Sequence, residues 1–195
     1  MNQFASGTGG ATSIILNAGK ARIQGVEFEA TAVPVDGLTL SGSVGYTDPK
    51  FKEFAFRDPA TNMIIDVADE ARFSNVPKWN YNVSAQYQFP SFGFGELLAQ
   101  ANYSYRSKMY FFPLDRVNIF NEDIASPGQG TLSARLTLSE IALGGTGAMM
   151  EISAWGENLA DNDKLLYGID FGGLGFGGAS FAEPRSFGID VKFSY

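Results

Sequence analysis

The sequence predicts an all-β fold: an antiparallel up-and-down transmembrane β-barrel segment of about seven strands, with short periplasmic turns and long extracellular loops. Three observations predict it. Seven stretches alternate apolar and polar residues with the two-residue period of a β-strand. The connections between these stretches alternate between short and long, as in a meander whose short turns all lie at one end. Aromatic residues collect near both ends of the stretches, as they do at the two interfaces of a membrane.

Each predicted strand has one apolar and one polar face. In chain order, the strands cover residues 20–33, 38–47, 78–89, 96–107, 129–138, 148–158 and 184–195. The third is the most regular, because Trp79, Tyr81 and Val83 alternate with Asn80 and Asn82 and the pattern continues to residue 89. In the last strand, small or polar residues alternate with an apolar set formed by Phe187, Ile189, Val191, Phe193 and Tyr195.

The remaining segments are predicted to be connections. Residues 1–19 are rich in glycine and small polar residues and are expected to be a loop, or the upper part of the first strand. Three long connections cover residues 48–76, 108–128 and 159–183. All the prolines are expected at strand ends or in connections, where a hydrogen-bonded sheet tolerates them: Pro34, Pro49, Pro59, Pro77, Pro90, Pro113, Pro127 and Pro184.

Composition excludes several classes of function. The chain has no cysteine and no histidine, which removes thiol nucleophiles, disulfides and His-dependent triads. Its formal net charge of −7 argues against a nucleic-acid partner, which needs a basic patch. No apolar run is long enough for a membrane-spanning helix. We expect no enzymatic activity, no cofactor and no metal site.

Alternation alone fits either a soluble β-sandwich or a membrane barrel. The barrel is favoured because the polar faces carry Gln, Asn, Ser, Glu and Arg, which suit a wet lumen. Two aromatic girdles support it: Tyr46, Trp79, Tyr81 and Tyr105 at one level, and Phe89, Phe92, Phe193 and Tyr195 at the other. The lipid bilayer is then the partner of the apolar face.

The direction of the predicted strands indicates whether residues 1–195 form a whole barrel or part of one. If the last strand ends in the periplasm, counting back makes the first strand begin outside the cell. We therefore expect a single domain that is the C-terminal portion of a longer barrel, which fits the lack of a signal peptide at the N-terminus. The alternative is a self-contained barrel of eight strands, a porin or structural protein, with an ascending strand within residues 1–16.

Several short segments, in order, are similar to a known family. They are Asn17-Ala18-Gly19-Lys20-Ala21, Gly25-Val26-Glu27, Val35-Asp36-Gly37-Leu38, Asn75-Val76-Pro77, Glu157-Asn158-Leu159-Ala160-Asp161, Pro184-Arg185-Ser186-Phe187 and Phe193-Ser194-Tyr195. Together they make the chain resemble the C-terminal barrel region of a TonB-dependent outer-membrane receptor.

The resemblance implies a barrel of about 22 strands with a plugged lumen in the outer membrane of a Gram-negative bacterium. Such receptors import scarce ligands, including ferric siderophores, cobalamin, haem and carbohydrates. The TonB system would act only through a plug domain, which these residues lack. The resemblance also implies that the outer-membrane assembly machinery reads the apolar set of the last strand, residues 187, 189, 191, 193 and 195.

Eight aromatic residues in the long connections are candidates for ligand contact, because aromatic rings stack on sugars and wrap apolar groups. They are Phe51, Phe54, Phe56, Tyr110, Phe111, Phe112, Phe171 and Phe176. The alternative is that they pack loop against loop. Gly173, Gly175 and Gly178 satisfy G-x-G-x-x-G but lack a strand-turn-helix context, so we expect a flexible loop. Asp161-Asn162-Asp163 is expected to be a polar turn rather than a calcium loop.

Overall fold

The computed structural model describes residues 2–7, 10–15, 19–58 and 60–195; for residues 2–7, 10–15 and Thr146 it describes the backbone alone. The strands are β1 (Asn2–Gly7), β2 (Gly10–Ile15), β3 (Lys20–Val35), β4 (Leu38–Glu53), β5 (Ala55–Arg57), β6 (Ile64–Asp66), β7 (Trp79–Gln88), β8 (Glu96–Arg106), β9 (Gln129–Ala142), β10 (Met149–Glu157), β11 (Leu165–Phe171), β12 (Phe176–Phe181) and β13 (Ser186–Ser194). Within these residues, no helix is long and apolar enough to cross a membrane.

Seven of these strands form one antiparallel sheet in the order β13-β10-β9-β8-β7-β4-β3. Each strand therefore pairs with the next long strand in the chain, which confirms the predicted up-and-down arrangement. Short connections join β3 to β4, β7 to β8 and β9 to β10. Long loops leave the opposite end of the sheet: L1 (residues 54–78), L2 (107–128) and L3 (158–185).

The register keeps the predicted apolar faces together across the sheet. One row passes through Phe28, Val44, Tyr81 and Tyr105, which are successive cross-strand partners. Side chains two residues apart along a strand share a face. Every second cross-strand row therefore lies on the same face of the sheet as this apolar row. The apolar side is open: Val26 is 72% exposed and Phe187 79%. No second sheet covers it among the described residues, as a β-sandwich would require.

The β3–β4 turn depends on a glycine. Gly37 has a φ of +81°, which L-residues with a side chain rarely adopt. A Cβ at this position would lie 2.3 Å from the carbonyl oxygen of Gln88. The Gln88 amide also donates a 2.8 Å hydrogen bond to the Gly37 carbonyl, so the turn is fastened to β7.

Several boundaries differ from the predictions. Residues 1–19 are not simply a loop, because β1 and β2 pair as a short hairpin. The strand predicted over 38–47 continues to residue 53, and the first and third long connections contain the hairpins β5–β6 and β11–β12. The strands of these two hairpins are too short, or too rich in glycine, to show a clear two-residue period.

One proline departs from the predicted pattern. Pro49 lies inside β4, opposite Ile23, rather than in a connection. It is tolerated because the pairing of β4 with β7 ends at Tyr46, so β4 has one neighbour at this point. Pro59 lies outside the described residues, as do Asn17 and Ala18 of the first family-like segment.

The sheet is not closed in the described part of the chain. β3 and β13 each pair on one side only. The buried apolar residues accordingly do not lie between layers of sheet. They form two clusters among the long loops, at one end of the strands.

Candidate functional site

The three long loops form one assembly above the end of the sheet. The first apolar cluster contains Phe51, Phe54, Val67 and Leu114, and Phe54 and Leu114 have no exposed surface. Leu114 comes from L2, whereas Val67 comes from L1, so burying this cluster joins the two loops. Burial of such side chains stabilises by about 1.5–3 kcal/mol each relative to leaving them in water.

The second cluster joins L2 to L3. It consists of Met109, Phe111, Phe112, Ile124 and Leu165, all less than 9% exposed. Gly168 of β11 lies directly on it, because a Cβ there would approach the Phe111 ring to 2.9 Å and Ile124 to 3.0 Å. L3 therefore packs its backbone against the apolar surface of L2.

An ionic junction ties L1 to L2 on the exposed side of the first cluster. Arg72 of L1 pairs with Asp115 at 2.9 Å and with Glu122 at 3.3 Å, and its guanidinium lies 4.1 Å from the centre of the Tyr110 ring. Lys108 donates a hydrogen bond to the same Glu122 carboxylate. A second pair, Arg116 with Glu70, is bidentate, because Nε donates to Oε2 at 2.9 Å and Nη2 donates to Oε1 at 2.6 Å.

The junction shifts two pKa values in opposite directions. The hydrogen bond from Lys108 is the largest cause that lowers the pKa of Glu122. The same bond is the largest cause that raises the pKa of Lys108, because it favours the charged ammonium. Both groups are thus held in their ionised forms around neutral pH.

A buried polar node anchors L3 to the sheet. Arg106 donates a 2.7 Å hydrogen bond to the carbonyl of Leu165, and the Leu165 amide donates to Gln129 Oε1 at 3.2 Å. Ser126 Oγ also donates to the Leu165 carbonyl, at 3.2 Å. Arg106 and Gln129 are direct cross-strand partners at the loop ends of β8 and β9. Side chains therefore bond to both main-chain groups of Leu165, at the start of β11.

Two further side chains brace the loops from within. Asn121 is fully buried; its amide donates to the Phe112 carbonyl at 3.0 Å and to Asp115 at 2.8 Å, and its oxygen accepts from the Phe112 amide. Asp170 of β11 accepts hydrogen bonds from the main-chain amides of Phe120 and Gly172. These contacts fix the shape of L2 and the position of the L3 hairpin.

Below the loops, the polar face of the sheet forms a shallow groove of about 660 Å³. Its lining includes Gln86, Gln100, Asn102 and Ser133, and Gln100 donates to Gln86 at 3.3 Å across β7 and β8. Three charged residues line it, of which Arg135 and Asp190 pair at 2.6 Å and the third is Glu157. The wall is thus mostly uncharged and rich in amides and hydroxyls.

A comparison with known families agrees with this two-faced sheet and its loop assembly. The family model described as "TonB dependent receptor-like, beta-barrel" matches residues 2–159, which is most of the chain. The chain belongs to the TonB-dependent receptor-like β-barrel family. This is a family of receptors and transporters of the Gram-negative outer membrane, so the predicted family and fold class are confirmed.

In this TonB-dependent receptor-like barrel, the eight predicted ligand-contact residues fall into two groups. Phe51, Phe54, Phe111 and Phe112 are buried in the two loop clusters. The other four keep exposed surface: Phe56 and Tyr110 border the ionic junction, and Phe171 and Phe176 pair at 5.0 Å at the tip of the L3 hairpin. The buried candidate aromatic residues of L1 and those of L2 therefore lie in separate clusters, and Phe171 and Phe176 contact each other in L3.

The predicted assembly signal lies on one face of β13 and just beyond its end. Phe187, Ile189, Val191 and Phe193 are between 52% and 79% exposed, and Tyr195 is fully exposed. They are in line with the apolar residues of β10, such as Ile152 opposite Val191. The residues of the predicted signal are thus the part of the apolar face that lies on the outermost strand, β13, and just beyond it.

The family-like segment at the end of β10 has a local structural role. Asn158 donates to the carbonyl of Asn162 and accepts from its amide, and Asn162 donates to the Gly130 carbonyl at 2.8 Å. Asp161 pairs with Arg185 at 3.3 Å, which ties the start of L3 to its end. These contacts give Asp161 and Asn162 structural roles at the end of a turn over residues 158–161 and directly after it. No group of three or more possible metal ligands occurs among the described residues.

The glycines of the G-x-G-x-x-G pattern lie in the β11–β12 hairpin, not between a strand and a helix. Sequence patterns alone do not mark Arg106, Ser126 and Gln129 as an anchor, nor Asn121 and Asp170 as braces. The sequence feature that could identify the anchor is position, because Arg106 and Gln129 fall at the loop ends of adjacent predicted strands.

Proposed function

We propose that this chain forms part of the barrel of an outer-membrane TonB-dependent receptor that takes up a scarce ligand. The family match over residues 2–159 carries the proposal. The two-faced sheet supports it, since an apolar face meets lipid and a polar face lines a lumen in such barrels.

The ligand is proposed to be a ferric siderophore, cobalamin or a carbohydrate. The members of the aromatic set that are not buried, Phe56, Tyr110, Phe171 and Phe176, are the proposed contacts, because aromatic rings stack on sugars and wrap apolar groups. The buried members are proposed to hold the loops in place for them. With no histidine or cysteine in the chain, a metal would arrive inside its chelator.

The open sheet supports a larger barrel. Unpaired strand edges are not tolerated in lipid, where no water satisfies their N–H and C=O groups. We therefore propose that β3 and β13 pair with other strands, and that the seven strands are the C-terminal portion of the barrel domain. The outer-membrane assembly machinery is the proposed reader of Phe187, Ile189, Val191, Phe193 and Tyr195. The TonB system is proposed to act through a plug domain.

A self-contained porin and a soluble β-sandwich are not favoured. The family match speaks against both, and the exposed apolar face speaks against the sandwich. An odd number of strands in an open sheet is also unlike a complete single-chain bacterial barrel.

Uptake genetics tests the proposal. The gene should be deleted, alone and together with the gene for TonB, and uptake of labelled siderophores, cobalamin and oligosaccharides compared. We expect one ligand whose uptake falls to background in either single deletion and no further in the double deletion. Uptake that needs this protein but persists without TonB would support the porin instead.

A further inference from the structure

Two cations lie directly opposite each other on the apolar side of the sheet. Arg22 of β3 and Lys50 of β4 are cross-strand partners. The pairing is unbroken from Tyr46, opposite Val26, through Asp48, opposite Gln24, to Lys50. Since side chains two residues apart share a face, Arg22 and Lys50 project on the same side as Val26 and Tyr46. Both are exposed.

The positive charge of this pair is only partly compensated. Like charges directly opposite each other destabilise a strand pair. Lys50 contacts Asp48 at 3.3 Å, while Arg22 makes no ion pair with any residue that the structure describes. Lys52, also exposed, lies just beyond Lys50, at the point where the register of β3 and β4 shifts. Three cations and one carboxylate leave two positive charges here, on a chain whose formal net charge is −7.

The height of the pair matches a lipid headgroup. Tyr46 and Trp79 form a tilted ring pair, 4.7 Å between centroids, at the loop end of the apolar face. Such rings mark the membrane interface. Lys50 lies four residues beyond Tyr46, about 13 Å along the strand at ~3.3 Å per residue. At a strand tilt of about 45°, this is roughly 9 Å further from the bilayer centre.

We propose that Arg22 and Lys50 bind a phosphate group on the headgroup of an outer-leaflet glycolipid. The inference rests on the proposed function, which places the apolar face in lipid and the long loops outside the cell. A guanidinium gives two parallel hydrogen bonds to a phosphate and an ammonium adds a point charge. Both side chains have apolar stems that can lie along the strand while their charged ends reach the headgroup.

The position favours a lipid over a free anion. Arg22 and Lys50 lie on the opposite face of the strands from the polar groove around Arg135 and Asp190. A solute that crosses through the lumen does not meet them. A lipid whose acyl chains pack against Val26 and Phe28 carries its headgroup to this level.

The test uses the complete gene product, purified and placed in vesicles of phosphatidylcholine with bisphosphorylated lipid A. R22Q/K50Q is the test variant, and K164Q/K192Q is the matched control, since it removes two cations from L3 and from the polar face of β13. Native mass spectrometry measures retained lipid A. We expect affinity to fall about fivefold for each charge removed, or roughly 25-fold in R22Q/K50Q, and to stay unchanged in the control.

Further measurements distinguish failure of this inference from failure of the proposed function. Dephosphorylated lipid A should bind the unmodified protein and R22Q/K50Q equally weakly, and the variants should keep the heat-dependent gel mobility of a folded barrel. Equal retention of lipid A by R22Q/K50Q and the unmodified protein would overturn the inference. So would displacement of lipid A by inorganic phosphate at equal concentration, which indicates a free-anion site. An unmodified protein that does not float with the vesicles would instead overturn the proposed function.

Discussion

Asn121 is the residue on which the shape of L2 most depends. It has no exposed surface, and its amide group bonds to both main-chain groups of Phe112 and to Asp115. Asn121→Ala leaves the Phe112 amide and carbonyl buried without partners, at a cost of about 1–3 kcal/mol for each group. We expect amide hydrogen exchange at Phe112 to accelerate by at least tenfold.

The matched control is Asp123→Ala, which removes an exposed side chain from the same loop. It should leave exchange at Phe112 unchanged. If Asn121→Ala and Asp123→Ala give the same exchange rates, Asn121 does not brace the loop.

The Lys108–Glu122 contact makes the L1–L2 junction sensitive to pH at both extremes. The pKa of Glu122 is lowered, so its contribution is present above the ordinary glutamate pKa and is lost as pH falls through the lowered value. The pKa of Lys108 is raised, so its contribution is present below the ordinary lysine pKa and is lost as pH rises through the raised value. The junction should therefore be unchanged between about pH 5.5 and 9.5.

Because the chain has no cysteine, spin labels can be placed at Met63→Cys in L1 and Asp123→Cys in L2. The distance distribution between them should broaden in acid, as the pH falls through the lowered pKa of Glu122 and the carboxylate is protonated. Glu122→Gln should give the broader distribution already at neutral pH. A distribution that is narrow at every pH, with and without Glu122, would show that the apolar clusters alone hold the loops together.

At the scale of the element, the β3–β4 turn allows two contributions to stability to be separated: the cost of a left-handed backbone and the cost of a steric clash. Gly37 and Gly93 have almost the same φ, +81° and +80°. A Cβ at Gly37 would lie 2.3 Å from the Gln88 carbonyl oxygen, whereas a Cβ at Gly93 would meet nothing within 4 Å. Gly93→Ala should cost about 1 kcal/mol from the left-handed backbone alone. Gly37→Ala should cost at least twice as much, because β7 must move.

Urea unfolding in detergent micelles, followed by tryptophan fluorescence, measures both free energies of unfolding. Equal losses for Gly37→Ala and Gly93→Ala would mean that the contact between the turn and Gln88 contributes nothing to stability.

The strands could be predicted because alternation directly encodes which face a residue occupies. A one-residue slip would move Trp79, Tyr81 and Val83 to the polar side, so the register follows from the same pattern. Pro49 was misplaced because the sequence does not show where the pairing of β4 with β7 ends. The hairpins β5–β6 and β11–β12 were missed because strands of three residues, or strands full of glycine, carry no readable period.

The candidate site was less predictable than the sheet. Sequence marks Phe54 and Phe176 alike as loop aromatics, yet Phe54 is fully buried and Phe176 is 51% exposed. Which ring is buried depends on contacts between loops that are distant in sequence, such as Phe54 with Leu114. The anchor at Leu165 likewise joins residues 36 and 59 positions apart in the chain.

At the scale of the whole molecule, the proposed function requires a sheet with one face in lipid and one in a watery lumen. Spin labels placed singly along β7 and β8 test this most directly, since the chain contains no competing thiol. The complete gene product in lipid vesicles should show collision with oxygen, which concentrates in lipid, at positions 83, 85 and 101. It should show collision with a water-soluble nickel chelate at positions 84, 86 and 100. Accessibility without this two-residue alternation, or high nickel collision on both faces, would contradict a membrane-spanning barrel wall.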